Sequence, residues 1–184
     1  MTIVEQIDGY VAGTWTLDGA HTDIGFSVRH LMVSKVRGSF NRFSGTITTA
    51  ADPLESSAEL TVELASIDTR NDERDAHLRS ADFFDSDSHP MMSYRSTAIR
   101  RSGDDFVVDG ELTIKDVTAP VTLNVEWNGI GPDPWGGTRL GLSATGEINR
   151  SDFGISFNMP LDGGGVMVGE RIRLVIEAEA VLNT

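Results

Sequence analysis

Four histidines, no cysteine and a large excess of acids set the chemistry open to this chain of 184 residues. The histidines stand at 21, 30, 77 and 89, and no two of them share the i, i+4 spacing that grips zinc from one helix face. Asp85, Asp87 and His89 alternate and could gather metal ligands along one strand, but the segment 82–90 reads more simply as a polar loop pinned by Phe83 and Phe84. Serine chemistry has no better footing. Gly141-Leu142-Ser143 lacks the closing glycine of a nucleophile elbow and lies in an alternating segment, not a strand-to-helix turn. Gly163-Gly164-Gly165 with Gly169 leads to Glu170, where a phosphate-binding loop needs Lys and Ser or Thr, so it reads as a turn into the last strand. Without cysteine there is no thiolate nucleophile, Cys-type zinc site or redox pair. No metal or cofactor is expected.

Charge is distributed more tellingly than any motif. Lys and Arg number 15 against 28 Asp and Glu, a formal charge of −13 that repels phosphate backbones and anionic headgroups and excludes nucleic acid as an expected partner. Yet Arg29, Lys35, Arg37 and Arg42 fall in a stretch without one acid, while 68–87 holds seven acids and three arginines. Two readings stay open. The cations could meet an anionic headgroup at the mouth of a barrel, or they could pair with the acidic segment, and the pairing is the simpler of the two.

These groups need a scaffold, and the scaffold is legible in a period of two, which places successive side chains on opposite faces of a strand. Ala58, Leu60, Val62 and Leu64 alternate with polar residues, as do Val121, Leu123, Val125 and Trp127, then Leu140, Leu142, Ala144 and Ile148. Residues 106–115 and 172–180 repeat the pattern, and less regular strands are expected at 14–17, 22–28, 37–43, 45–49 and 93–100, parted by turns such as Ala51-Asp52-Pro53. Only 30–35 and 71–78 look helical. Eight or more strands with one apolar face each must pack two sheets or close a barrel, and periodicity alone does not choose.

The longest unbroken run of apolar side chains is three residues, far short of the roughly 18 a membrane-spanning helix needs. No stable membrane insertion is expected. Residues 1–14 carry Glu5 and Asp8 and no Lys or Arg, unlike a secretory signal, so the compartment expected is the cytoplasm. The chain reads as one domain over 1–184, with 1–13 as an N-terminal extension.

Trp15-Thr16-Leu17-Asp18 with His21, the run 24–30, Gly38-Ser39-Phe40, the runs 67–71 and 74–78, Asp82-Phe83-Phe84-Asp85 before Pro90, Gly110 to Lys115 with Val117, Thr118 and Pro120, and Arg150-Ser151-Asp152-Phe153-Gly154 together resemble the YceI-like family of lipid and polyisoprenoid-binding proteins over about residues 14–182. The resemblance implies an all-β protein, a single elongated antiparallel barrel of about eight strands, lipocalin-like, with one or two short helices. It further implies an apolar tunnel for a polyisoprenoid, an isoprenoid quinone or another long-chain lipid, which the protein would bind, carry or store without catalysis, and it makes a homodimer plausible. On that reading the inward positions are Phe26, Phe40, Phe43, Leu60, Val62, Leu112, Ile114, Leu123, Val125, Leu142, Leu174 and Ile176, with Phe83, Phe84 and Phe153 lining or closing an end. His21, Arg29, His30 and Arg37 are the candidate headgroup contacts, and Arg74 with Asp75 reads as an ion pair anchoring the helix. Two alternatives remain: an enzyme using the same cavity with His30 as acid–base group, or a filled barrel that serves as an interaction module.

Overall fold

Each alternating run is a strand in the computed structural model, which describes residues 4–184. In chain order the strands are β1 (Gly13–Leu17), β2 (Asp23–His30), β3 (Ser34–Phe40), β4 (Phe43–Thr49), β5 (Ser57–Glu63), β6 (Ile67–Asp68), β7 (Met91–Ser102), β8 (Asp105–Ile114), β9 (Val117–Pro132), β10 (Thr138–Asn149) and β11 (Val168–Leu182), with helix α1 (Asp72–Arg79) between β6 and β7. The eleven segments make eight barrel strands. β1 and β2 lie end to end along the same edge of β11, Leu17 facing Ala180 and Ile24 facing Ile176. β4 and β3 continue side by side on β1 and β2, and β5 and β6 on β4 and β3. From there β7, β8, β9, β10 and β11 follow in sequence order, so the sheet closes on itself as an antiparallel, lipocalin-like barrel.

The three breaks, at residues 18–22, 41–42 and 64–66, fall at one level and divide the wall into an upper and a lower ring. Trp15 secures the upper seam. Its side chain is fully buried with Leu140 and Ala180, and its indole Nε1–H donates to Thr49 Oγ1 at 2.8 Å, which in turn donates to the Val11 carbonyl at 2.7 Å. The expected extension therefore belongs partly to the barrel. Ile7 and Tyr10 face the interior, and the Tyr10 hydroxyl donates to the Ala50 carbonyl at 2.6 Å; residues 1–3 lie outside the described chain.

The helix expected at 71–78 is α1, capped by the Asn71 side chain, which accepts from the Arg74 N–H, and with Asp72, Glu73 and Asp75 in the first turn where the helix dipole favours acids. Its anchor differs from the expected ion pair. Buried Asp75 accepts from the Thr69 N–H at 2.9 Å and from its hydroxyl, while Arg74 donates to Thr69 Oγ1 at 2.8 Å and to the Thr69 carbonyl at 2.6 Å. Both side chains grip one threonine instead of each other. The other expected helix, 30–35, is a hairpin: His30 pairs with Ser34 across a turn of Leu31, Met32 and Val33. Leu31 and Met32 take φ of 53° and 63°, a left-handed backbone that no glycine or asparagine in the sequence announces.

Candidate functional site

Inside the barrel two chambers of about 160 Å³ each lie in line. They share five lining residues, Ile24, Leu60, Tyr94, Leu123 and Ile176, which form a waist between them. The lower chamber presents only apolar atoms to its interior. Phe26, Phe40, Phe83, Phe84, Leu112, Ile114, Phe153 and Leu174 line it, Val125 and Leu142 line the upper chamber, and Leu60, Leu123 and Ile176 line both. Phe43 and Val62 depart from the expected set. They face each other across β4 and β5 and pack with Leu64 and Ile67 in the core at the level of the breaks.

Alternation missed several wall residues. Tyr94 follows Met92 on β7, but Ser96 comes next and a bulge between Ser96 and Ala98 interrupts the period, so the pattern hides it. Its hydroxyl is buried with no hydrogen-bond partner, its ring lies against Gly110, and burial pushes its ionisation up to about 12, with the Asp109 charge adding to the effect. Phe106 and Trp127 in the upper chamber belong to the alternating runs but stand outside the expected inward set, and Ile155 in the lower chamber lies beyond any expected strand. Phe157 completes an aromatic cluster near the lower chamber: the His77, Phe83 and Phe157 rings meet edge to face at 5.0 to 5.3 Å between centroids. Arg150 contributes to the lower wall although only 5% exposed; it donates to the Gly169 carbonyl at 3.0 Å and the Ile155 carbonyl at 3.2 Å, and burial lowers its proton affinity. It ties β11 to the segment below β10.

None of the four histidines lines either chamber. His77 and His89 lie 2.8 Å and 3.3 Å from Asp82 and Asp116, and His89 gathers no ligand set with Asp85 and Asp87. His21 sits in the break 18–22, 2.9 Å from Asp18 and 3.8 Å from Glu179. These three form the one group among the described residues with metal-like spacing, and its carboxylates already hold a cation. Arg139 donates to Asp18 at 2.6 Å, to Asp133 at 2.9 Å and to Glu179 at 3.4 Å. The Arg139 hydrogen bond, then the one from His21, hold Asp18 at about 2. His30 ends β2 beside the hairpin turn.

The expected pairing of the basic stretch with 68–87 does not occur. Arg42 pairs with Glu63 at 2.8 Å, outside that segment, and Arg29, Lys35 and Arg37 have no side-chain hydrogen bond or ion pair among the described residues. Arg29 and Arg37 occupy the outer face, alternating with inward Phe26 and Val28, so neither reaches the chambers.

A closed eight-stranded barrel around paired apolar chambers can now be set beside known proteins, and the sequence model of the YceI-like domain matches residues 15–180. The chain belongs to the YceI-like family. A UPF0312 protein of Staphylococcus aureus strain bovine RF122 / ET3-1 is 39% identical over 167 residues, 90% of this chain and 95% of that one. A UPF0312 protein of Photorhabdus laumondii is 42% identical over 146 residues, covering 78% and 76%. Among solved structures, the YCEI protein of Campylobacter jejuni superposes with a TM-score of 0.72 at 30% identity over 97% of this YceI-like chain and all of its own. A polyisoprenoid binding domain from Saccharophagus degradans, implicated in plant cell wall breakdown, shares the fold with a TM-score of 0.67 at 16% identity, covering 94% of this chain and 100% of that one.

Proposed function

We propose that this protein binds the hydrocarbon chain of an isoprenoid, an isoprenoid quinone among them, or of a comparable long-chain lipid, and carries or stores it without altering it. The observation that carries this reading is a pair of apolar chambers placed end to end inside the barrel, parted by a shared waist of four aliphatic side chains and the Tyr94 ring. A dry cavity of about 150 Å³ holds a benzene-sized guest. Two in line suit an extended chain better than one compact molecule. Burying each CH₂ is worth about 0.8 kcal/mol, so one five-carbon unit contributes roughly 4 kcal/mol, against an association cost of about 4 to 15 kcal/mol. Binding therefore needs about two to four isoprene units and strengthens with each one until the chambers are full. The family membership and the polyisoprenoid binding domain among its structural neighbours support the same ligand class. No histidine lines either chamber, which argues against His30 as an acid–base group acting on a molecule held there.

The test is native purification followed by mass spectrometry of extracted lipid, together with uptake of geraniol, farnesol and geranylgeraniol by the emptied protein. A co-purified prenyl or long-chain lipid and affinity rising with chain length are expected. No extracted lipid and no saturable uptake of any of the three alcohols would overturn the proposal.

A further inference from the structure

Four cations stand together on the outer face of β2, β3 and β11, none of them in an ion pair among the described residues. Arg29 is directly opposite Lys35, and Ser27 is flanked by Arg37 on one side and Arg173 on the other. None of the four side chains makes a hydrogen bond or ion pair among the described residues. Like charges directly opposite each other on antiparallel strands are destabilising, and in a chain of −13 a compensating acid is easily supplied. Of the two acids in the adjoining groove, Glu147 stands opposite Arg173 in the register of β10 and β11, but its carboxylate lies 3.6 Å from Arg171, and Glu170 accepts from the Ser151 N–H at 2.9 Å.

Past Arg29 the hairpin turns through Leu31, Met32 and Val33, which are 41%, 52% and 81% exposed. Two of the three hold a left-handed backbone that bulky side chains rarely adopt. Glycine or asparagine would make this turn at lower cost, and of its three consecutive apolar residues Val33 buries almost nothing and Leu31 and Met32 only about half of their surface. The neighbouring loop adds exposed Met159; the Leu31 N–H donates to the Met167 carbonyl at 2.8 Å, and the Met167 N–H to the Met159 carbonyl at 2.9 Å. The lining of the lower chamber ends at the same place, since Val28 and Val168 belong to it and Val168 pairs with His30.

We propose that this end of the barrel docks on an anionic lipid bilayer, the Leu31-Met32-Val33 turn entering the acyl boundary while Arg29, Lys35, Arg37 and Arg173 lie against the phosphates. An apolar prong with a basic flank is the combination that holds a protein at a membrane interface. The remaining surface, strongly acidic, is repelled by the same membrane, and with charges screened beyond about 8 Å the local cations dominate at contact. Docking is thereby oriented, and it brings the lower chamber to the source of its ligand. The purpose of the contact rests on the lipid-binding reading above; its geometry does not.

Flotation of the whole chain with vesicles of phosphatidylcholine, with and without phosphatidylglycerol, tests this. The protein is expected to float with the anionic vesicles only and to be released by salt. Arg29→Gln and Arg37→Gln each weaken binding about fivefold, and Val33→Ser about tenfold or more, while farnesol uptake from solution is unchanged in all three. Indifference to phosphatidylglycerol, no flotation at all, or wild-type flotation by the variants overturns the proposal. So does a wild-type dimer that Val33→Ser dissociates, because the turn is then a contact between two copies. Vesicle binding as expected, with no extracted lipid and no uptake of geraniol, farnesol or geranylgeraniol by the wild type, upholds the docking face and removes the lipid-cavity reading instead.

Discussion

Replacing Tyr94 with phenylalanine should make the empty protein more stable. The hydroxyl is buried without a partner, and its ring rests on Gly110, where any side chain would collide with it. An unsatisfied buried hydroxyl costs about 1 to 3 kcal/mol, and Tyr94→Phe removes that oxygen while keeping the ring in its seat. At the low end of that range the gain is about 1 kcal/mol, which for a domain of this size raises the melting temperature by about 2 to 4 °C. Differential scanning calorimetry of the delipidated protein reads it directly. A second signature follows from the raised ionisation, about 12 against an ordinary value of 10. The folded state favours the neutral phenol and the unfolded chain ionises first, so this contribution is intact below pH 10 and is lost as pH rises from 10 towards 12. Wild-type stability should fall across that window more steeply than that of Tyr94→Phe, and spectrophotometric titration should lose its late phenolate step in the variant. A lower melting temperature for Tyr94→Phe refutes the reasoning, since it means that the hydroxyl holds a partner worth more than the cost of its burial.

The waist makes a second prediction: Leu60→Trp or Leu123→Trp blocks the passage between chambers, so geranylgeraniol binding falls at least tenfold while geraniol binding changes little, with circular dichroism confirming the fold and an overpacking cost of about 1 to 3 kcal/mol. Thr69→Val strips buried Asp75 and Arg74 of their shared hydroxyl and should cost about 1 to 3 kcal/mol, with faster amide exchange confined to α1 and its flanks. Asp18, held at about 2, contributes stability that is present above its unfolded value near 4 and is lost as pH falls from 4 to 2. Denaturant midpoints of wild type and Asp18→Asn should therefore differ at neutral pH and converge by pH 2.

Much of the wall was legible because alternation states which face of a strand is apolar, and in a closed barrel every apolar face but the seam's has one destination. Leu60, Leu123 and Ile176 reach the waist on that logic. Phe43 and Val62 obey the same parity but not the outcome, because parity says nothing of what stands opposite, and at the breaks Leu64 and Ile67 fill the space. Tyr94 was hidden by its own polarity, by Ser96 after it and by a bulge that shifts the period. The hairpin at residues 31–33 passed for helix because its turn is built from leucine and methionine instead of the residues that usually take positive φ. The fate of Arg29, Lys35 and Arg37 depends on register across strands, which proximity along the chain does not encode: Glu63, not the acid-rich 68–87, took Arg42, and the other three took none.

The seam has a consequence for synthesis. Every ladder of the barrel but those of β11 with β1 and β2 joins strands near each other in the chain, whereas the seam brings together groups as far apart as Thr16 and Asn183, 167 positions, whose side chains meet at 2.8 Å. A chain emerging from its N-terminus can zip the meander from β3 to β10 as it appears, but Trp15 has no Ala180 to bury it until β11 is out. Until that moment the interior is one face of a curled open sheet, wettable and free to meet hydrophobic solutes sideways. The cavity therefore takes shape in one late closure, and an apolar molecule lying on the sheet at that instant is enclosed by it, a second route of loading beside entry into the finished barrel.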